Sequence, residues 1–164
     1  MSRVPAIFLD RDGVVVRERG EHTWRLEDFE VLPSVVEALR GIRAAGKLSV
    51  LITNQSGIGL GLYGHADVLG LHTYLHAHLA RQGAALDAVY YCPHHPSQGR
   101  CLCRKPGSLL LERAIARYGI DPGVSVMIGD RDRDVAAAAA IGVRGILVEA
   151  NAPLLDVLND HALI

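Results

Sequence analysis

Asp10 and Asp12 flank a single arginine in Asp10-Arg11-Asp12-Gly13, directly after the apolar run Ala6-Ile7-Phe8-Leu9. At that spacing beyond a strand end, both carboxylates can face one pocket. They repel each other unless a cation joins them, and oxygen donors select a hard divalent ion, Mg²⁺. Asp130 adds a third carboxylate at the end of another apolar run, Val124 to Gly129. Thr53, Asn54 and Lys105 offer donors suited to an anion, and a lysine can offset phosphoryl charge. A carboxylate nucleophile, a divalent cation and a cationic clamp make a phosphoryl-transfer site. A second group is distinct: all three cysteines lie between Cys92 and Cys103, with His94 and His95 among them. An odd, tight set does not read as a disulfide framework. In a reducing compartment it reads as metal ligands, and three sulfurs with one imidazole form a closed set for structural Zn²⁺.

These residues need elements to bring them together. Five short apolar runs read as strands covered on both faces: Ala6 to Leu9, Leu48 to Thr53, Ala88 to Tyr91, Val124 to Gly129, and Gly145 to Val148. Helical patterns lie between them. One follows Pro33-Ser34 and stops at Gly46; a second repeats through Val68, Leu71, Leu75 and Leu79 after Asp67. A third runs from beyond Pro106 to Gly119, a fourth over Val135 to Ile141, and a fifth over Leu154 to Leu158. Alternating strands and helices predict a doubly wound α/β domain with a parallel sheet and right-handed crossovers. Ligands of such sheets bind beyond the carboxyl ends of the strands, where Asp10, Thr53 and Asp130 all fall.

The chain has 164 residues, 49% of them hydrophobic and 21% charged, which fits a single globular domain over residues 1–164. Its 17 Lys and Arg against 18 Asp and Glu leave a net charge of −1, with no basic excess to recruit nucleic acid. No apolar run is long enough for a membrane span. The N-terminal stretch has no signal-peptide pattern, so the expected location is the cytoplasm. A monomer is the default expectation.

Phe8-Leu-Asp10-Arg-Asp12-Gly, Thr53-Asn-Gln55-Ser-Gly, Arg104-Lys-Pro106 and Ile128-Gly-Asp130 together resemble the four motifs of the haloacid dehalogenase superfamily of phosphatases. The similarity runs from about Ala6 to Val148. It points to the subgroup that holds the heptose 1,7-bisphosphate phosphatases and the histidinol-phosphate phosphatases. The resemblance implies a Rossmann-like sheet without a separate cap domain and with a zinc loop over residues 92–103. It implies that Asp10 attacks phosphorus and forms an aspartyl-phosphate, and that Asp12 protonates the leaving oxygen and then activates water. Asp10, Asp130 and the Asp12 carbonyl would hold Mg²⁺, Thr53 and Lys105 the phosphoryl group. Asn54, Gln55, Arg104 and Arg131 would meet the substrate, a small phosphorylated metabolite. Zinc would take Cys92, His94, Cys101 and Cys103, the Cys-Pro-His pattern favouring His94 over His95. The Tyr90 to Pro96 run and Ser56-Gly-Ile-Gly59 look like the heptose enzymes, whereas Gly129-Asp-Arg131 looks like the histidinol enzymes. Gly107-Ser108 stands where the heptose group carries His-Pro-Gly, and Val16 where it carries Asn. The reading is therefore a Mg²⁺-dependent phosphomonoesterase acting on heptose bisphosphate, with histidinol phosphate or a non-catalytic binding domain as alternatives.

Other residues carry plainer readings. His72 and His76 sit at helical spacing without a third ligand and read as solvated, as do His65 and His78. Gly57-x-Gly59-x-Gly61 lacks the dinucleotide fingerprint spacing. Trp24 and Phe29 read as packing for a loop after the first motif. Asp132 reads as a first-turn helix charge, and Asp134 as a support for Asp130 or a metal-bound water.

Overall fold

The computed structural model describes residues 3–164. Its sheet has five strands: β1 (Ala6–Leu9), β2 (Leu48–Asn54), β3 (Ala88–Cys92), β4 (Val126–Gly129) and β5 (Arg144–Leu147). All pair in parallel in the order β3-β2-β1-β4-β5. Five helices alternate with them: α1 (Val35–Ala44), α2 (His65–Ala80), α3 (Leu109–Tyr118), α4 (Asp132–Ala139) and α5 (Leu154–Asp160). Successive strand residues point to opposite faces, and the core divides accordingly. Ile7, Leu9, Leu51, Ile128 and Ile146 pack with residues of α1, α2 and α5, whereas Phe8, Val50, Ile52 and Met127 pack with α3 and α4. That two-sided burial is why the strands read as continuous apolar runs.

Chain order reverses direction between β1 and β4, which leaves a crevice at their carboxyl ends. Asp10 follows β1 and Asp130 follows β4, so topology alone brings these two carboxylates to one rim.

Several boundaries depart from the sequence reading for local reasons. Val124 lies in a 3-10 turn, Pro122–Val124, capped by Asp121 Oδ1, which accepts from Gly123 N at 3.0 Å; β4 therefore starts at Val126. α2 opens at His65 because Asp67 does not precede the helix. It sits in the first turn and its carboxylate accepts from Gly64 N at 2.8 Å. α4 likewise opens at Asp132, with Asp134 Oδ2 accepting from Arg131 N at 3.0 Å. Ser34 does not cap α1: it has φ 70, and its Oγ accepts from Leu155 N of α5 at 3.4 Å. β5 sits one residue earlier than expected: Arg144 already pairs with Val126 and Leu147 with Gly129, the Val148 N–Gly129 O bond of 3.0 Å closing the ladder.

Between β1 and α1 the chain makes an excursion whose ends meet at the antiparallel bridge Val16–Val31. Asn151 ties it down by accepting from Glu18 N at 2.7 Å and donating to Glu18 O at 3.1 Å. Trp24 stacks on Tyr63 with ring centroids 5.9 Å apart, and Phe29 is buried. Both aromatics pack the loop down, as expected. No helix is long and apolar enough to cross a membrane among the described residues.

Candidate active site

The crevice opens into a pocket of about 320 Å³. Asp10, Asp12, Asp130, Asn54, Gln55, Arg104, Arg131 and Arg133 line it. Glu18 and residues 20–23 of the excursion loop cover it. This is the small end of the range for ligand sites.

Asp10 is buried, and its Oδ1 accepts from Arg11 N and from Lys105 Nζ, each at 2.8 Å. Lys105 is buried as well. Its Nζ also donates to Ile52 O at 2.7 Å and lies 2.6 Å from Asp134 Oδ1. Burial by itself would push the ammonium down; Asp10 and Asp134 outweigh it and hold Lys105 raised, hence charged. Asp134 therefore supports Lys105 while standing in the carboxylate cluster itself. Carboxylate oxygens of Asp10, Asp130 and Asp134 lie within 4.8 Å of one another.

Asp130 sits in this cluster with its side chain 2% exposed. Its Oδ2 has no hydrogen-bond partner among the described residues, the nearest cation being Arg131 Nε at 3.6 Å. Burial first, then the neighbouring Asp10, push Asp130 up to about 6 against the lowering effect of Arg131. A buried, unpartnered carboxylate oxygen beside two other acids is a fitting seat for a hard cation. Gly13 is what allows the approach: it has φ 91, and a Cβ there would overlap the Asp130 carboxylate. Gly129 does the same for Asp134, whose side chain fills the space a Cβ would take.

Asp12 is held from two sides. Arg11 Nε donates to its Oδ1 at 3.1 Å, and Gln55 Nε2 donates to its Oδ2 at 3.1 Å. Burial raises its pKa, opposed by Arg11 and reinforced by Asp10, which favours a carboxyl able to carry a proton. Gln55 Nε2 also reaches Thr53 Oγ1 at 2.9 Å, and Gln55 Oε1 accepts from Tyr63 OH at 3.0 Å. Gln55 and Thr53 are thus buried next to the carboxylates. Asn54, expected on the substrate, is committed elsewhere. Its Oδ1 accepts from Lys105 N at 3.0 Å, and its Nδ2 donates to Lys105 O at 3.2 Å. This paired contact fixes the backbone that carries the buried ammonium.

Three arginines, Arg104, Arg131 and Arg133, line the pocket along with Glu18 and Glu21. Arg131 stands 3.8 Å from Glu18, while Arg104 and Arg133 have no carboxylate within 4.0 Å among the described residues. Burial lowers the pKa of Arg104, and the like charge of Arg133 lowers it further. Two adjacent guanidiniums without an acid between them suit an anionic group of the ligand.

Beyond the rim, Cys92, His94, Cys101 and Cys103 converge, with ligand atoms within 4.8 Å of one another. Cys92 and Cys103 Sγ each lie 3.8 Å from Cys101 Sγ, close to the spacing of about 3.8 Å that tetrahedral Zn–S bonds of about 2.3 Å require, while Cys92 and Cys103 Sγ are only 3.0 Å from each other. His94 Nδ1 is 3.5 Å from Cys92 Sγ and 3.3 Å from Cys103 Sγ. Burial pushes the Cys92 and Cys103 thiols up, whereas at Cys101 the Arg104 N–H and the other sulfurs outweigh burial and bring it down to about 7. The set fits zinc. His95 points away, its Nδ1 2.8 Å from Ser97 Oγ and accepting from Ser97 N at 3.1 Å.

Five features here had no role in the sequence reading: Arg11, Glu18, Tyr63, Arg133 and the Lys105–Asp134 pair. His72 is a correction. It is 7% exposed, not solvated, because Leu71 and Leu75 face the core and turn it inward against Arg11. Burial and the Arg11 charge push it down to about 3. His76 is exposed, and His65 meets Tyr91 OH at 2.8 Å.

A family model described as HAD-hydrolase-like matches residues 102–156. The D-glycero-beta-D-manno-heptose-1,7-bisphosphate 7-phosphatase of Haemophilus influenzae is 39% identical over 156 residues, covering 91% of this chain and 84% of that protein. The D-glycero-alpha-D-manno-heptose-1,7-bisphosphate 7-phosphatase of Burkholderia mallei is 36% identical, covering 84% of this chain and 76% of that protein. The crystal structure of D,D-heptose 1,7-bisphosphate phosphatase from B. bronchiseptica, complexed with magnesium and phosphate, superposes with a TM-score of 0.82. It is 30% identical and covers 96% of this chain and 99% of that one.

Proposed function

The chain belongs to the haloacid dehalogenase-like hydrolases, in the family of the heptose bisphosphate 7-phosphatases, and from that premise we propose that it removes the 7-phosphate of D-glycero-D-manno-heptose 1,7-bisphosphate. The observation that carries the reading is the meeting of Asp10, Asp12, Asp130 and Lys105 at the β1–β4 crevice, in a pocket also lined by Arg104 and Arg133, which have no carboxylate within 4.0 Å among the described residues. The magnesium and phosphate of the B. bronchiseptica relative support it.

Asp10 is the nucleophile. Its Oδ1 is anchored by Arg11 N and Lys105 Nζ, which leaves Oδ2 to attack phosphorus. As the P–O bond to the sugar breaks, its electron pair goes to the leaving oxygen, and Asp12 gives that oxygen a proton. Asp12 then takes a proton from the water that hydrolyses the aspartyl-phosphate, which frees phosphate and restores both carboxyl groups. Lys105 offsets the phosphoryl charge, Thr53 orients the phosphoryl group, and Gln55 holds Thr53 and Asp12 in one network. Asp10, Asp130 and the Asp12 carbonyl would hold Mg²⁺, which when bound neutralises charge on the phosphoryl oxygens. Cys92, His94, Cys101 and Cys103 would hold Zn²⁺, which braces the segment entering Arg104-Lys105 without an open position for substrate. Arg104, Arg131 and Arg133 receive the remote part of the ligand, its second phosphate included. Residues 1–164 act as one cytoplasmic, monomeric phosphatase domain.

Steady-state phosphate release tests the substrate. Both anomers of the heptose bisphosphate are compared with histidinol phosphate. The expected result is a kcat/KM at least about tenfold higher for a heptose bisphosphate, equivalent to about 1.4 kcal/mol of transition-state binding. A preference for histidinol phosphate would reassign the substrate while leaving the chemistry in place.

A further inference from the structure

Arg11 is the largest fully buried side chain among the described residues, at 0% exposure, and neither the phosphoryl-transfer steps nor the metal sets use its guanidinium. A charge that far from water persists only where it is well partnered. Its partners are specific. Nε donates to Asp12 Oδ1 at 3.1 Å, and Nη2 stands 3.0 Å from Asp12 Oδ2, so both oxygens of one carboxylate meet one planar fork. Nη2 also donates to Thr23 O at 2.9 Å, in the excursion loop that covers the pocket. Nη1 lies 3.4 Å from His72 Nε2. A guanidinium can only donate, so this imidazole nitrogen is the acceptor and His72 is neutral. The Phe29 ring closes the last side, with the guanidinium carbon 5.5 Å from its centroid.

We infer that Arg11 is a positioning residue, which locks the Asp12 carboxyl in the rotamer that delivers its proton and ties that rotamer to the pocket-covering loop through Thr23. The inference rests on the reading of Asp12 as the acid of phosphate-ester cleavage. Three features favour positioning over mere filling. The fork binds both Asp12 oxygens, so it fixes the rotation of the carboxyl as well as its place. Gln55 Nε2 reaches Oδ2 from the other side, so the carboxyl is held between two rigid groups. Arg11 itself is clamped by Thr23, His72 and Phe29, all outside the reacting atoms, and a group so held loses no motion when the substrate arrives.

The expected consequence depends on the leaving group. A sugar oxygen needs a proton as it departs, whereas p-nitrophenolate leaves without one. First-turnover rates are therefore measured by rapid mixing in Mg²⁺ buffer, with heptose bisphosphate and with p-nitrophenyl phosphate. Wild type is compared with Arg11→Met and Arg11→Lys. A positioned acid contributes at least about a hundredfold. Arg11→Met should thus slow the sugar ester about a hundredfold while p-nitrophenolate release falls by less than about tenfold, with KM for the sugar ester little changed. Arg11→Lys should recover part of the loss. The ratio of the two rates in one preparation does not depend on the fraction of folded protein, so partial misfolding cannot produce this pattern. Equal slowing of both substrates, or an unchanged ratio, overturns the inference. Failure of both variants to fold assigns Arg11 to structure and overturns it too. A wild type inert towards both esters would refute the phosphatase reading itself, and this one with it; an active wild type with an unchanged ratio refutes only this one.

Discussion

Replacing Asp130 by Asn in metal-free protein should raise stability, although the residue belongs to the proposed reactive centre. In the folded protein Asp130 titrates at about 6 against 3.8 for a free carboxyl, first because it is buried and next because Asp10 adjoins it. Between 3.8 and about 6 the folded state therefore binds more protons than the unfolded state at this group. Stability falls as pH rises through that window, and above it the full penalty is present. Two units at about 1.4 kcal/mol each give about 3 kcal/mol as an upper value. Asparagine keeps the shape, removes the charge, and puts an amide beside Asp10, so most of that penalty should disappear. For a chain of this length about 3 kcal/mol corresponds to roughly 6–12 °C in Tm. Thermal unfolding of both proteins in chelator, as a function of pH, isolates the effect. Asp134, raised by burial and by Asp10, is present in both proteins, and the loss of the neighbouring Asp130 charge acts on it in the same stabilising direction. Asp130→Asn should match wild type below the window and melt higher above it. Added Mg²⁺ should then stabilise wild type and leave the variant nearly unmoved. A variant less stable than wild type in chelator at alkaline pH, or equal Mg²⁺ stabilisation of both, would refute the account of the carboxylate cluster.

Asp10→Asn should remove nearly all phosphate release while far-ultraviolet circular dichroism stays unchanged; turnover near the wild-type rate would sink the covalent route. Cys101→Ser should lower both Tm and the zinc content measured by elemental analysis, since metal binding in such a loop contributes folding energy. Purified wild type should carry about one zinc per chain, and a variant with an unaltered melting temperature would leave the cysteines as reduced thiols. Arg133→Ala should raise KM for a bisphosphate more than for a monophosphate, with kcat little changed; equal shifts for both would free Arg133 from any part in recognition.

Much of this arrangement is legible in the sequence because it follows from topology. A short apolar run ending in Asp10, and another ending in Asp130, reach the same rim once the strands are parallel and β1 adjoins β4. The convergence of Cys92, His94, Cys101 and Cys103 is equally local in origin. What sequence reasoning loses is the inward-facing charge. Arg11 has no assigned role in the sequence, yet Val14, Val15 and Val16 turn the chain back and carry the guanidinium under the excursion loop. His72 is misread for a related reason: a helix that buries Leu71 and Leu75 carries a polar neighbour inward only if a distant side chain receives it, and helical spacing contains no sign of Arg11. Asp134 reads as a support for Asp130 or a metal-bound water, but its carboxylate accepts from Arg131 N at the start of α4 and reaches Lys105 across the sheet. Asn54 reads as a ligand donor, and its partner is the backbone of Lys105, far along the chain.

The excursion between Val16 and Val31 lies outside the sheet, and its two ends meet at one antiparallel bridge. Its length is consequently independent of strand register, and residues can be added to or removed from its tip without displacing Asp10 or Asp130. Substrate range and reaction chemistry are thereby separable by heredity: a descendant could acquire a new ligand through insertions in 18–28 alone, provided the carbonyl at position 23 still meets the arginine beneath it. Grafting that segment between relatives is the shortest route to a phosphatase of altered selectivity on an unaltered catalytic floor.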